Sequence, residues 1–398
     1  MSRPDFDVVI GGGGMVGAAL AALLASRCHA SGLRIALIEP RPALMPLPQE
    51  PLDVRVSAVS RAGQQLLTEV AAWPLLQARS PAPYERMMVW DAQEVAGGPN
   101  TLIFDAAELG EPDLGHLIEN RAVAAALIER AIALGVTLLR TPVMGLHLDR
   151  EMATVDLGER QVTTSLVVAA DGAHSPMRHL AGLGGEPLPY PQTALVTHLR
   201  AEKSHGGVAR QRFLAGGPLA LLPLADGRVS LVWSLPPAEA DALLLLDDAA
   251  FGAAVTAASD QVLGRLAVAA ERCGFPLRRF NAAHYATTRL VLVGDAAHAV
   301  HPLAGQGVNQ GFLDVLALSA EIVAARAAGA DIGDPGPLGR YARARRADNA
   351  LFGAAFDTIY RVYTDDRDLV RRGRRVLLGL AQRLGPLKQH LVARALLG

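Results

Sequence analysis

The stretch FDVVIGGGGMVGAALAALLAS, residues 6–26, limits the possible fold more than any other part of the chain. Phe6 to Ile10 is a short, β-branched apolar run, as in a buried strand. Glycines follow, and then an Ala- and Leu-rich segment, Met15 to Ser26, that reads as a helix. Gly12, Gly14 and Gly17 match G-x-G-x-x-G. A second strand, RIALIEP, ends at Glu39, 22 residues beyond Gly17. That is near the spacing of about 20 residues at which a carboxylate meets a ribose hydroxyl. Glycines let the backbone approach a pyrophosphate. The first helical turn, with Met15 and Val16, offers free N–H groups and the positive end of the helix dipole. The unit predicts dinucleotide binding on a Rossmann-like α/β domain.

The same apolar run follows Asp5 and Asp7, is broken by glycines and lacks a basic leader, so it does not read as a signal peptide. No run of about 18 uninterrupted apolar residues predicts a transmembrane helix. Two cysteines, Cys28 and Cys273, are too few for a disulfide framework, so a reducing, cytoplasmic setting is expected. A net charge of −1 gives no global reason to expect a nucleic-acid partner. Charge is uneven, however. From Leu338 to Gly398, twelve Arg and one Lys stand against five Asp, a surplus of eight positive charges.

Strand-like patterns return at MMVWD and TLIFD, then at ALVTHLR, ARQRFL, LALLPL and VSLVWSL. The last three are separated by the hairpin-type turns AGGP and ADG. Helical patterning is expected from about Asp241 to Cys273, and again from Gly305 to the end. The division expected is a dinucleotide-binding domain from residues 1–75, 101–185 and 276–337. A mainly antiparallel, substrate-binding sheet is inserted as residues 76–100 and 186–275. Residues 338–398 form a helical C-terminal region.

Two further stretches carry chemistry. SLVVAADGAHSPMRHLAG is a strand, a turn at Asp171-Gly172 and a helix. Taken as isolated letters it is only a turn signal, and Arg178 reads as a solvated surface charge. RLVLVGDAAHAVHPLAGQGVNQG places Gly294-Asp295 at a strand's carboxyl end, where α/β sheets bind ligands. Asp295, His298 and His301 are spaced like metal ligands. Pro302 pushes His301 out of helical geometry, so no metal is expected. The long helix that follows offers another N-terminus for an anionic group.

The three signatures GGGGMVG, ADGAHSPMR and LVGDAAHAVHPLAGQGVNQG together resemble those of single-component, FAD-dependent class A aromatic hydroxylases. The ubiquinone-biosynthesis branch, the bacterial polyprenylphenol hydroxylases, is most similar. DVRVSAVS, YERMMVWD, LGHLIENR, GPLALLPLADGRVSLVWS and YARARRADN extend the likeness over nearly the whole chain. The resemblance implies a p-hydroxybenzoate-hydroxylase-like fold. It implies that Gly12, Gly14, Met15, Val16, Gly17 and Glu39 hold the ADP half of FAD. Arg55 is implied near the pyrophosphate, and Arg121 near the flavin. Gly294 and Asp295 are implied at the ribityl chain. Pro302, Gly305, Gln306, Gly307, Val308 and Asn309 are implied against the ring. Asp171, with Gly172 and Arg178, is implied in cofactor and reductant handling. Gln310 departs from the family's usual N-L-G, which leaves local packing open.

The chemistry implied is reduction of FAD by NAD(P)H or another donor, addition of dioxygen to give a C4a-hydroperoxide, and transfer of one oxygen atom to a polyprenylated phenol. MMVWD and LGHLIEN lean toward hydroxylation at ring C5. FDAAEL leans toward the late hydroxylation of a demethoxy intermediate. Another aromatic substrate, or a flavin-binding assembly subunit of a quinone-biosynthesis complex, are the alternatives. No catalytic residue is assigned. His198, His205, His284, Tyr190 and Tyr285 are candidate bases, each of which also reads as a structural residue. RFLAGGPLALLPL and MMVWD are candidate pocket walls. The arginine- and leucine-rich tail fits peripheral contact with an anionic inner membrane, docking into a multi-enzyme assembly, or packing on its own domain.

Overall fold

The structure is a computed structural model that describes residues 3–299 and 307–364. His301, Pro302, Gly305, Gln306 and the tail segment 367–398 lie outside the described residues.

The Phe6–Gly11 strand lies inside an eight-stranded sheet, parallel to Ile35–Ile38 on one side and to Gln161–Ala169 on the other. Gln161–Ala169 pairs in parallel with Leu290–Leu292, and Ile35–Ile38 with Thr137–Leu139. Helices Met15–Arg27, Asn120–Ala133 and Gly307–Ala327 pack into the same apolar core as these strands. With core-facing residues on both sides, the strands read as unbroken apolar runs. Among the described residues, one helix, Gly307–Ala327, is long and apolar enough to cross a membrane. Here Phe312, Val315, Leu318 and Ile322 bury it in the core.

A nine-stranded sheet is inserted into this frame. Its order runs Leu102–Asp105, Arg86–Asp91, Val208–Leu214, Gly217–Pro223, Val229–Leu235, Leu188–Ala201, Cys273–Asn281 and His298–Ala299. Leu266–Val268 also pairs with Leu188–Ala201. The pairings are antiparallel except between Arg86–Asp91 and Val208–Leu214. Side-chain alternation sorts the two faces. Leu195, Leu199, Leu219, Leu221, Leu231 and Trp233 form one core with Phe251 and Val255 of helix Asp248–Ala258. Ala220, Leu222 and Val232 turn the other way, toward a three-stranded sheet of Val56–Ser60, Gly115–Glu119 and Ala82–Tyr84.

Several expected limits move. Helix is not continuous from Asp241 to Cys273: one helix ends at Leu244, a second runs Asp248–Ala258, and Leu266–Val268 is a strand. Backbone pairing with Leu188–Ala201 overrides the Ala-rich local pattern. A boundary at residue 100 separates Leu102–Asp105 from its hairpin partner Arg86–Asp91, and one at 276 cuts the Cys273–Asn281 strand. By hydrogen bonding, the inserted sheet extends to Asp105 and Asn281. The last helix starts at Pro335, before the expected limit at 338, and is described to Thr364.

Candidate active site

Four adjacent parallel strands bring the chemistry-bearing segments together. In sheet order, Ile35–Ile38, Phe6–Gly11, Gln161–Ala169 and Leu290–Leu292 end at Glu39, the glycine turn, Ala170–Asp171 and Gly294–Asp295. The carboxyl edge of a parallel sheet is where ligands bind, because helix N-termini and unpaired strand-end amides face it.

Gly12 has φ 103°, and a side chain there would strike the Ala170 carbonyl. Its N–H donates to the Ile38 carbonyl (2.8 Å). A Cβ at Gly17 would collide with the Gly12 carbonyl, so only glycine permits this approach of helix to turn. Gly14, the N-cap of helix Met15–Arg27, is exposed, has no side-chain cap, and meets no atom within 4 Å of where a Cβ would stand. The turn is tight toward the protein and open on its outer face, as a pyrophosphate cradle requires. Glu39 is held beside it: its Oε2 accepts from Gly13 N (2.8 Å) and its Oε1 from Arg41 N (3.0 Å). Met15 and Val16 are half-buried, and Val16 packs against Gly294 and Gly311.

Asp171 accepts from the Ser175 hydroxyl and from Met177 N (2.9 Å). Burial raises its carboxyl pKa, against the opposing pull of those hydrogen bonds. Arg178 is not a surface charge. It is fully buried, donates to the carbonyls of Ala296 and Ala173 (both 2.9 Å), and lies 4.2 Å from the Phe280 ring centroid. It therefore joins the middle signature to the late one. Asp295 is exposed just beyond the carboxyl end of strand Leu290–Leu292. Crowding by protein raises its carboxyl pKa, partly offset by His298 and Arg55.

Arg55 lies 5.7 Å from the Phe275 ring centroid, near enough to Asp295 for its charge to lower that carboxyl's pKa. Arg121 stands at the start of helix Asn120–Ala133 and pairs with Glu50 (2.7 Å) at the surface. Gly307 and Val308 begin the long helix. Asn309 is buried, with its amide spent on the Val56–Ser60 strand: Nδ2 donates to Ala58 O and Oδ1 accepts from Ser60 N (both 2.9 Å). Gln310 turns to a neighbouring helix, where its Oε1 accepts from Arg345 (3.0 Å).

A buried network beneath the late signature escaped the sequence reading. Asp314 accepts from Gly294 N (2.9 Å) and Arg345 Nε (2.7 Å), and its Oδ2 is hydrogen-bonded to His298 Nε2 (2.5 Å). Burial alone would raise this carboxyl, but His298 and Arg345 hold its pKa below the ordinary value. Asn349 and Tyr285 extend the network. Its signal in the sequence was a lone carboxylate inside the apolar helix run GFLDVLALS. Of the candidate bases, His205 is hydrogen-bonded to the Leu224 carbonyl and Tyr285 donates to Asn281. His284 is exposed, Tyr190 is buried, and His198 is buried with neither ring nitrogen partnered among the described residues. Of the candidate walls, Trp90 is fully buried and Ala220 and Leu222 face the three-stranded sheet.

A glycine turn closed on one side and open on the other, a carboxylate at the second strand's end and an exposed Asp295 at the end of strand Leu290–Leu292 fit FAD. A family model described as an FAD binding domain matches residues 5–347. The chain is 36% identical over 400 residues to 3-demethoxyubiquinol 3-hydroxylase of Escherichia coli (strain K12), covering 100% of both. It is 36% identical over 396 residues to ubiquinone hydroxylase UbiL of Rhodospirillum rubrum, covering 98% of this chain and 89% of the relative. It is 33% identical over 438 residues to the human mitochondrial ubiquinone biosynthesis monooxygenase COQ6, covering 98% and 92%. Among solved structures, p-nitrophenol 4-monooxygenase of Pseudomonas putida superposes with a TM-score of 0.75 at 18% identity, covering 98% and 97%, a likeness of fold. The chain belongs to the family of FAD-dependent class A aromatic hydroxylases, in the branch that contains the ubiquinone hydroxylases.

Proposed function

We propose that this enzyme hydroxylates the aromatic ring of a polyprenylated phenol in ubiquinone biosynthesis, at ring C5. The observation that carries the reading is the meeting of three distant signatures at the ends of adjacent parallel strands, beside an inserted sheet. Gly12, Gly14, Met15, Val16, Gly17 and Glu39 would hold the ADP half of FAD, Arg55 its pyrophosphate and Gly294 with Asp295 its ribityl chain. Gly307, Val308 and Asn309, with Pro302, Gly305 and Gln306, would lie against the ring, and Arg121 nearby. Asp171 and Arg178 would brace the first and last turns against each other. When bound, FAD supplies the redox chemistry, taking electrons from NAD(P)H or another donor and activating dioxygen. The chain's own part is to orient the phenol, exclude water and present the N-terminus of helix Gly307–Ala327, whose dipole favours negative charge.

A second ring position has specific support. FDAAEL and the full-length likeness to the E. coli 3-demethoxyubiquinol hydroxylase favour the late step. Deleting the gene and identifying the accumulating quinone-pathway lipid by mass spectrometry separates the two. A prenylphenol lacking all later ring oxygens supports C5, and a demethoxy intermediate moves the enzyme to the late step. Asp295→Ala should lower FAD affinity at least tenfold and fail to restore quinone. Full restoration by a copy purified without FAD would instead favour an assembly subunit. The cationic tail is proposed to touch an anionic membrane peripherally. Deleting residues 367–398 should weaken co-sedimentation with anionic vesicles, and an unchanged bound fraction would sink that proposal.

A further inference from the structure

A cavity of about 770 Å³ lies between the loop of residues 182–188, the end of strand Cys273–Asn281 and the C-terminal helix Pro335–Thr364. That is a ligand-sized space, within the range of roughly 300–1,000 Å³. It adjoins the active site. His298, on its wall, is three residues from Asp295, and Phe280, also on its wall, covers Arg178.

The chemistry of the wall selects the occupant. Leu183, Tyr190, Phe280, Ala350 and Ala354 give it apolar surface. Several of the polar groups on its inner side are tied to the protein. Asn281 Oδ1 accepts from the Tyr285 hydroxyl (2.7 Å), and His298 Nε2 is hydrogen-bonded to Asp314. Asn349 accepts from Arg345 (3.0 Å) and donates to Tyr285 (3.3 Å). Glu186 and Arg279 are exposed, and Glu186 pairs with His179 (3.6 Å). The two charged side chains thus stand at exposed positions, and the apolar wall between Leu183 and Phe280 suits a hydrocarbon chain, which needs no hydrogen bonds.

We propose that this cavity binds the isoprenoid tail of the substrate, with the phenol ring directed toward the proposed flavin site beyond Phe280 and His298. The proposal rests on the prenylphenol reading above and adds the place where the tail goes.

Gly353 supplies the test. It lies on the cavity wall, and a Cβ there would meet no atom of the described residues within 4 Å. Gly353→Phe thus enters the space without a backbone clash and removes a glycine from a helix, which favours folding. Leu351→Phe, at an exposed position on the same helix, is the control. Dissociation constants of 2-prenylphenol and 2-farnesylphenol would be measured by quenching of flavin fluorescence in the FAD-loaded enzyme. The wild type should bind the farnesyl compound at least about tenfold more tightly, since burial of each added isoprene contributes apolar area. Gly353→Phe should reduce that ratio to within about threefold, and Leu351→Phe should keep it. A wild-type ratio retained in Gly353→Phe overturns the proposal. So does hydroxylation of both phenols by a wild type that binds them equally, an outcome that leaves the proposed function standing. A tail preference that Gly353→Phe abolishes, with no hydroxylation of either phenol, leaves the tail site standing and removes the proposed function. Binding of neither phenol removes both.

Discussion

His198 shows what a single residue carries. It sits on the Leu188–Ala201 strand opposite Ser230, and neither its ring nitrogens nor the Ser230 hydroxyl has a partner among the described residues. Burial, with Arg228 nearby, pushes its pKa down to about 4, against the weaker pull of Asp226, Asp53 and Glu119. The folded state therefore keeps this imidazole neutral, while the unfolded chain takes up a proton near pH 6.5. Stability from this residue is complete above that pH and is lost as pH falls through 6.5 toward 4, by on the order of 3 kcal/mol. His198→Leu should flatten that part of the pH–stability profile. It should also stabilise the protein at pH 7, because it removes a buried polar group with unmet hydrogen bonds. Denaturant midpoints at pH 7 and pH 4.5 check both. An equal loss in the two proteins would rule out this assignment. Arg178 teaches the complementary lesson: the letters ADGAHSPMR suggest a solvated charge, and groups distant in sequence, the carbonyl of Ala296 118 residues away and the Phe280 ring, join the Ala173 carbonyl in making its burial tolerable.

Among the elements, helix Gly307–Ala327 does the most to hold the site. Asn309 ties its first turn to strand Val56–Ser60, and Asp314 ties its middle to the Gly294 turn and to Arg345. The Arg345–Asp314 pair is almost completely buried, so removing one partner strands the other charge. Asp314→Asn should destabilise the fold by about 3–5 kcal/mol. The double variant Asp314→Asn with Arg345→Gln should lose less than the two single losses added together, as a coupled pair does. Chemical denaturation of the four proteins gives the coupling directly, and strict additivity would mean that the two side chains do not depend on each other. The departure at Gln310 belongs to this network, since its amide oxygen meets Arg345 and the variation in the motif is a matter of helix packing.

Across the whole molecule, the proposed cofactor site is distributed over four strand ends that are far apart in sequence. A ligand spanning Glu39, the glycine turn, Asp171 and Asp295 would bind only the assembled sheet and so would couple to global unfolding. Saturating FAD at 100 times its Kd should add about 2.7 kcal/mol, and removing it should lower Tm by several degrees. Thermal unfolding of the FAD-depleted protein with increasing FAD tests this, and a Tm indifferent to FAD would contradict a site shared by these strands. The late signature also belongs to both sheets, since His298–Ala299 pairs with Phe280–Asn281 of the inserted one. The cofactor turn and the sheet next to it are thus one mechanical unit.

The first strand, its glycine turn and helix Met15–Arg27 were legible in the sequence, as were the hairpins around Gly217 and Gly227. In each, the deciding contacts join residues close along the chain: a β-branched run, a glycine that a turn requires, a helix-forming segment. Glu39 was legible too, because one βαβ unit sets its spacing from the turn. The tertiary structure alone decided the burial of Arg178, the partner of Gln310, the joining of Leu266–Val268 to the inserted sheet and the polar network under the late signature. Those outcomes depend on which distant group comes within hydrogen-bonding reach. Local periodicity carries no information about that, because a buried charge and an exposed one have the same neighbours in sequence and differ only in what the rest of the chain places against them.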